Sequence, residues 1–214
     1  MTNASYEYIP IQESREPVVD LSKFDFILEP KYFMGGVSGD KRIFLREGVV
    51  RRLDELQKEL KGFKIKIWDG FRSRIVQNTL LNNLCKELAI KQPTWSKEEV
   101  AHEAGVFITL ASDANRIPPH ATGGAVDLTL VDASGSEVDM GTEFDHFGPE
   151  AHVEYFASDS PIGRNRTMLR ELLRSRDFVQ YSDEWWHFDY GNQLWAMNLH
   201  KPFAIYGEVI APEI

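Results

Sequence analysis

Two segments of the chain place a histidine near a carboxylate in a pattern that could bind a metal ion, and the first contains His120 and Asp127. Asp127 lies in an otherwise apolar stretch typical of a strand, and a buried carboxylate is costly unless a cation or hydrogen bonds compensate its charge. His120 lies seven positions earlier, across Gly123 and Gly124. Glycines permit the tight turn that would return the imidazole to Asp127. Alone, this segment is equally compatible with an aspartate paired to an arginine.

The second segment, residues 181–188, places Glu184 three positions before His187 within an aromatic run. On a regular strand, positions three apart point to opposite faces. The two side chains can share a site only if Glu184 lies in the turn before the strand, and we predict that arrangement. Alone, the segment is also compatible with a core strand in which His187 is buried and hydrogen-bonded.

Together the two segments supply two imidazoles, one carboxylate and a further glutamate. Two histidines and one aspartate leave a fourth position open on a tetrahedral zinc ion, which is typical of catalytic rather than structural sites. A glutamate beside a metal-bound water commonly serves as the general base of a metallohydrolase. The donor set favours zinc, with iron or manganese as alternatives.

A third candidate is Arg72, which follows Asp69 and Gly70 where a predicted strand ends. A guanidinium can donate two parallel hydrogen bonds and could stabilise a developing oxyanion. The alternative is an arginine at the surface or paired with Asp69.

Helical periodicity dominates the first half of the chain after an irregular segment spanning residues 1–40. A helix is predicted from Arg46 to Gly62, a strand over residues 63–68, and a second helix over residues 73–88. Ser96 and Glu99 have the spacing of a capping box, which predicts a third helix from Lys97.

Strand patterns dominate the second half. Strands are predicted over residues 125–131, 178–181 and 185–190, with a turn over residues 132–136 leading to Val138 and Met140. Leu169, Leu172 and Leu173 predict an amphipathic helix over residues 166–176. We therefore expect an α+β fold with a mainly antiparallel central sheet flanked by helices.

Composition restricts the class of protein. A chain of 214 residues with a net charge of -9 fits a single domain and argues against nucleic acid as the main partner. The single cysteine, Cys85, fits a reducing compartment, and its leucine-rich surroundings indicate a buried thiol. No signal peptide and no apolar span of membrane length are recognised, so we expect a cytoplasmic protein without a membrane partner.

Two ordered patterns carry a family resemblance. His-x-x-Gly-x-Ala-x-Asp begins at His120 and ends at Asp127, and Glu-x-Trp-His runs from Glu184 to His187. Shorter matches are found at residues 68–72, 140–145 and 165–166. The sequence, from about Val19 to His187, resembles the D-alanyl-D-alanine dipeptidase family, zinc enzymes associated with vancomycin resistance that have the hedgehog/DD-peptidase fold.

The resemblance implies one zinc ion per chain, held by His120, Asp127 and His187. It implies Glu184 as general base and later proton donor, and Arg72 as the group that stabilises the tetrahedral transition state. The expected activity is hydrolysis of D-alanyl-D-alanine or a similar small dipeptide containing D-amino acids.

The resemblance also bears on the substrate pocket. Asp145 is expected to order the pocket wall, and Phe71 and Trp186 are candidates for substrate contact, with core packing as their alternative role. The whole chain, 1–214, is expected to form one peptidase domain in which residues 1–40 cover the pocket.

Two departures from the family pattern weaken the expected preference for D-alanyl-D-alanine. Pro118 occupies the position where the family usually has a serine near the substrate, and residues 23–36 match poorly. Three alternatives remain open: a D,D- or L,D-carboxypeptidase acting on longer cell-wall peptides, an iron oxygenase, and a non-catalytic metal-binding module. Antibiotic resistance, peptide salvage and wall recycling are all compatible roles, and the sequence does not determine the oligomeric state.

Overall fold

The computed structural model describes residues 6–107 and 116–210, except for the side chains of residues 106 and 107. Two of its strands and four of its helices are longer than the others. In chain order the elements are β1 (Val18–Asp20), β2 (Ile27–Leu28), α1 (Lys31–Met34), β3 (Phe44–Arg46), α2 (Glu47–Glu59), β4 (Phe63–Asp69), α3 (Arg74–Lys91), α4 (Lys97–Phe107), β5 (Ala125–Asp132), α5 (Pro161–Arg174), β6 (Val179–Gln180), β7 (His187–Asp189) and α6 (Gln193–Asn198).

The central sheet has the strand order β2-β4-β5-β7-β6. Only β2 pairs in parallel with its neighbour, and the pairs β4–β5, β5–β7 and β6–β7 are antiparallel. A separate antiparallel pair is formed by β1 and β3. The predicted α+β class with a mainly antiparallel sheet is confirmed.

The core lies where helix α2 packs near the central sheet. Its predicted apolar face is buried at Val49, Val50, Leu53 and Leu56. Every residue of β5 from position 125 to position 131 is buried, so this strand is enclosed on both faces. Enclosure in the middle of a sheet explains why β5 holds its side chains in fixed positions and why any charge on it needs a partner.

Strand register brings three polar residues into one row. Asp69 of β4 lies opposite Asp127 of β5, which in turn lies opposite His187 of β7. Residues directly opposite each other in a sheet project from the same face. An irregularity in β4 between Ile67 and Asp69 shifts the register and places Asp69 in this row.

Several local predictions are confirmed and others need correction. The capping box is present, since the Ser96 N–H donates to Glu99 Oε2 at 2.7 Å and the Glu99 N–H donates to Ser96 Oγ at 3.1 Å. The turn after β5 forms but leads only to an isolated bridge between Val131 and Glu137, not to a second strand. Helix α5 begins earlier than predicted because Ser160 caps it at Pro161.

Candidate active site

His120, Asp127 and His187 converge at one buried point. His120 Nε2 lies 3.1 Å from His187 Nδ1, Asp127 Oδ1 lies 3.1 Å from His187 Nδ1, and Asp127 Oδ2 lies 3.4 Å from His120 Nε2. Ligands bound tetrahedrally at about 2.0–2.1 Å from zinc are separated from one another by about 3.3–3.4 Å. The three side chains therefore fit a tetrahedral metal ion with little rearrangement.

A short 3-10 turn over Pro119–Thr122 positions His120. The imidazole Nδ1 lies 2.7 Å from the Gly70 carbonyl oxygen, and since a carbonyl only accepts, Nδ1 carries the proton and Nε2 presents its lone pair to the site. The chain then reverses through Gly123, whose φ is 67°. A Cβ on Gly124 would lie 2.4 Å from the Tyr190 carbonyl oxygen, so only glycine fits there. The predicted glycine turn is confirmed.

The electrostatic environment favours an ionised Asp127. Burial would raise the pKa of this carboxyl, but His120 and His187 hold the pKa well below its usual value. Burial would lower the pKa of the His187 imidazole, yet Asp189 and Asp127 raise that pKa well above its usual value. A carboxylate between two imidazoles already supplies negative charge at this point. A divalent cation bound there would need no additional counterion.

Asp189 is a site residue that sequence reasoning missed. It is buried, and its Oδ2 lies 3.3 Å from His187 Nε2, on the side of the ring away from Asp127. The signal was present in the sequence, because His187 and Asp189 are two positions apart on one strand and such positions share a face.

Glu184 lies in the turn between β6 and β7, as predicted. Its Oε2 is 3.8 Å from His187 Nδ1, and the side chain lines the cavity above the histidines. Burial raises the pKa of the Glu184 carboxyl to about 8 against the opposing charge of His187. The carboxyl is thus near His120, Asp127 and His187 but is not part of that converging group.

Arg72 is both paired with Asp69 and adjacent to Asp127. Its Nε and one terminal nitrogen lie 2.9 and 2.8 Å from Asp69 Oδ2. The guanidinium also donates to Gln77 Oε1 at 3.0 Å and to the Tyr32 hydroxyl at 3.1 Å, and one terminal nitrogen lies 3.5 Å from Asp127 Oδ2. Burial would lower the pKa of this guanidinium, but Tyr32, Asp69 and Asp127 raise it, so Arg72 stays charged.

Comparison with known proteins identifies the family. The sequence model of a peptidase family described as D-ala-D-ala dipeptidase matches residues 34–205. The chain belongs to the D-ala-D-ala dipeptidase family. It is therefore a metallopeptidase of the dipeptidase class, and the iron oxygenase and the non-catalytic module that the residues left open are excluded.

Among similar proteins, the D-alanyl-D-alanine dipeptidase of Synechocystis sp. is 28% identical over 237 residues, covering 95% of this chain and 96% of that protein. The protein of the same name from Escherichia coli is 30% identical and covers 61% of this chain and 57% of its own length. A solved structure, VanYB in complex with D-alanine-D-alanine, is 15% identical with a TM-score of 0.47 and covers 76% of this chain and 80% of its own. The LdcB LD-carboxypeptidase is 18% identical with a TM-score of 0.44 and covers 87% and 74%.

The active site of this dipeptidase opens into a cavity of about 520 Å³. The cavity is lined by His120, Asp127, His187, Glu184 and Arg72, so the predicted catalytic and ligand residues share one solvent-accessible space. A volume of this size lies within the usual range for small-molecule sites.

Asp145 also lines this cavity, and its Oδ1 accepts a hydrogen bond from the Tyr32 hydroxyl at 3.1 Å. Burial raises the pKa of Asp145 to about 7. Because Arg72 donates to the same hydroxyl, Tyr32 links the acid to the guanidinium. Tyr32 falls in the segment that matches the family pattern poorly, which is why sequence reasoning did not select it.

Phe71 and Trp186 are not among the residues that line the cavity, and substrate contact by either side chain stays a prediction. Phe71 lines a neighbouring cavity with Phe44 and Trp68. Trp186 is buried in the core, where it packs edge-to-face against Phe144 with ring centroids 5.6 Å apart. Phe144 is the aromatic residue that lies on the cavity wall.

No helix in the described part of the chain is long and apolar enough to cross a membrane. The cytoplasmic location expected from the sequence stays a prediction.

Proposed function

We propose that this dipeptidase binds one zinc ion through His120, Asp127 and His187 and hydrolyses D-alanyl-D-alanine or a similar small dipeptide. The observation that carries the proposal is that the side chains of these three residues approach one another to 3.1–3.4 Å beside a cavity that also contains Glu184 and Arg72. The relatives named D-alanyl-D-alanine dipeptidases support the choice of substrate.

Zinc, when bound, would lower the pKa of a water molecule and polarise the carbonyl of the peptide bond. Glu184 takes the proton of the attacking water, since its carboxylate faces the cavity 3.8 Å from a ligand nitrogen. The same carboxyl then passes that proton to the leaving amine. Arg72 donates hydrogen bonds to the developing oxyanion, held rigidly for this role by Asp69 and Gln77.

Two charged groups on the cavity wall match the two ends of a free dipeptide. Asp145 offers a carboxylate to the substrate ammonium group. Arg116 lines the same cavity and offers a guanidinium to the substrate carboxylate, held in place against the Tyr6 ring at 4.8 Å and by Glu7, whose Oε1 lies 3.3 Å from Nε. Arg116 precedes Pro118 by two positions. We infer that it compensates for the serine hydroxyl that this chain lacks.

We also propose that the N-terminal segment helps to cover the pocket within a single peptidase domain. Its support is that five residues of the first forty line the cavity: Tyr6, Lys31, Tyr32, Gly35 and Val37. The first five residues of the predicted segment lie outside the described part of the chain.

A panel of D,D-, L,D- and L,L-dipeptides incubated with zinc-loaded protein tests this function, with chelator-treated protein as control. We expect free D-alanine from D-alanyl-D-alanine, no release after chelation, and recovery when zinc is restored. A pentapeptide that ends in D-alanyl-D-alanine belongs in the same panel. Faster release from the pentapeptide than from the dipeptide would replace the dipeptidase proposal with the carboxypeptidase alternative.

A further inference from the structure

The carboxylate of Asp189 lies behind the metal-binding histidine of β7. Only 1% of Asp189 is exposed. Its Oδ2 lies 3.3 Å from His187 Nε2, and its Oδ1 accepts a hydrogen bond from Asn192 Nδ2 at 2.5 Å. The buried carboxylate is held by the Asn192 amide and lies beside a ring nitrogen of a candidate ligand.

The start of helix α6 holds Asp189 from the other side. Asn192 is the N-cap of this helix, and its Oδ1 accepts from the Trp195 N–H at 2.9 Å. Asn192 is itself buried, with 1% of its surface exposed. The amide of Asn192 is therefore oriented by the helix, with its oxygen toward Trp195 and its nitrogen toward Asp189. Hydrogen bonds therefore connect the start of helix α6 to Asp189, whose Oδ2 lies 3.3 Å from His187 Nε2.

We propose that Asp189 is a positioning residue, whose negative charge keeps the proton of His187 on Nε2 and directs the Nδ1 lone pair to the metal ion. A carboxylate that accepts from the outer nitrogen of a ligating imidazole fixes its tautomer and raises its basicity as a ligand. The inference rests on the metal site of the proposed function and adds a residue that contacts neither metal nor substrate.

The outer nitrogen of the other histidine, His120, has a neutral acceptor closer to it than any carboxylate. His120 Nδ1 contacts the neutral Gly70 carbonyl at 2.7 Å, and the nearest charged oxygen, on Asp69, is 3.4 Å from Nδ1 and already accepts from Arg72. The two imidazoles also use opposite nitrogens toward the site. Removal of the charge at position 189 should therefore affect the His187 bond to the metal selectively.

Substitution by asparagine separates the charge of Asp189 from its shape. An asparagine has one acceptor oxygen, so Asp189→Asn cannot accept from both His187 and Asn192, and one of these donors loses its partner. The double variant Asp189→Asn with Asn192→Asp restores complementarity, because the new amide donates to the new carboxylate and its oxygen accepts from His187. The double variant keeps the hydrogen bonds and moves the negative charge from position 189 to position 192, away from the metal site.

The experiment measures zinc affinity by competition with a chelator of known affinity, at one pH, for the parent, Asp189→Asn and the double variant. Asn192→Ser is the matched control, because serine can still cap α6 and leaves the contact between Asp189 and His187 intact. We expect zinc affinity to fall about 10- to 100-fold in Asp189→Asn. In the double variant, the metal-free melting temperature should return toward that of the parent, but zinc affinity should stay about 10-fold below the parental value. Asn192→Ser should bind zinc within about threefold of the parent. Long-range proton–nitrogen NMR of the zinc-loaded parent should show His187 protonated on Nε2.

A double variant with parental zinc affinity would overturn the proposal, because the role of Asp189 would then be structural alone. Zinc-loaded parent with the His187 proton on Nδ1 would overturn it as well. A parent that binds zinc tightly but cleaves no dipeptide would refute the proposed substrate and leave this comparison valid, whereas a parent that binds no zinc would refute both.

Discussion

Zinc should raise the unfolding temperature of the metal-stripped protein by roughly 9 °C. The three side chains already approach one another to 3.1–3.4 Å and belong to a sheet and its adjoining turn, so binding needs little ordering of the chain. Free zinc at about 1,000 times its dissociation constant stabilises the folded state by about 4 kcal/mol. Unfolding entropy of about 2.1 cal/mol/K per residue gives about 0.45 kcal/mol/K for 214 residues. The ratio of the two quantities is the expected shift.

The assay is differential scanning calorimetry of chelator-stripped protein at a pH near 8, with and without buffered zinc. Asp127→Asn removes the charged ligand that contacts both imidazoles, so its shift should fall below about 2 °C. Glu184→Gln leaves the three ligands in place and should keep the full shift. An equal shift in the parent and in Asp127→Asn, or no shift in the parent, would refute the assignment of these side chains as a zinc site.

Three further predictions concern chemistry and stability. Glu184→Gln should lower kcat about 10²- to 10⁴-fold with unchanged zinc affinity, measured as D-alanine release; a near-parental rate would remove the base assignment. Arg72→Lys should lower kcat about 10²- to 10³-fold, because a lysine cannot keep the contacts to Asp69, Gln77 and Tyr32 together. A change confined to KM would contradict the role of Arg72 at the oxyanion. The raised pKa of Asp145, about 7 against an ordinary 3.8, means that the folded metal-free protein holds an extra proton between those values, so stability should fall as pH rises through this window. Asp145→Asn should reduce the pH dependence of the free energy of unfolding, by at most about 1.4 kcal/mol per pH unit and by less for a partly solvated group. Urea unfolding at a series of pH values measures this dependence. The same dependence in parent and variant would contradict the assignment.

Local features of the sequence determined much of the site. The glycine pair between His120 and Asp127 predicted a tight turn back to the strand. The structure contains that turn. The alternation rule required Glu184 to lie in a turn, and it does. The apolar periodicity of α2 and the capping box of α4 gave correct elements because both depend on contacts within a few residues.

Tertiary structure alone decided which distant groups meet. Tyr32 and Asp145 contact each other across more than one hundred positions, and no local pattern encodes that pair. The aromatic run 185–188 did not reveal that Trp186 faces the core, because its ring packs against Phe144, which is distant in the sequence. The residue types, turns and helix faces of this protein were therefore fixed by its sequence through short-range physics. The alignment of Asp127 with His187, and the burial of Asp189 behind it, arose only when packing selected one register among the strands.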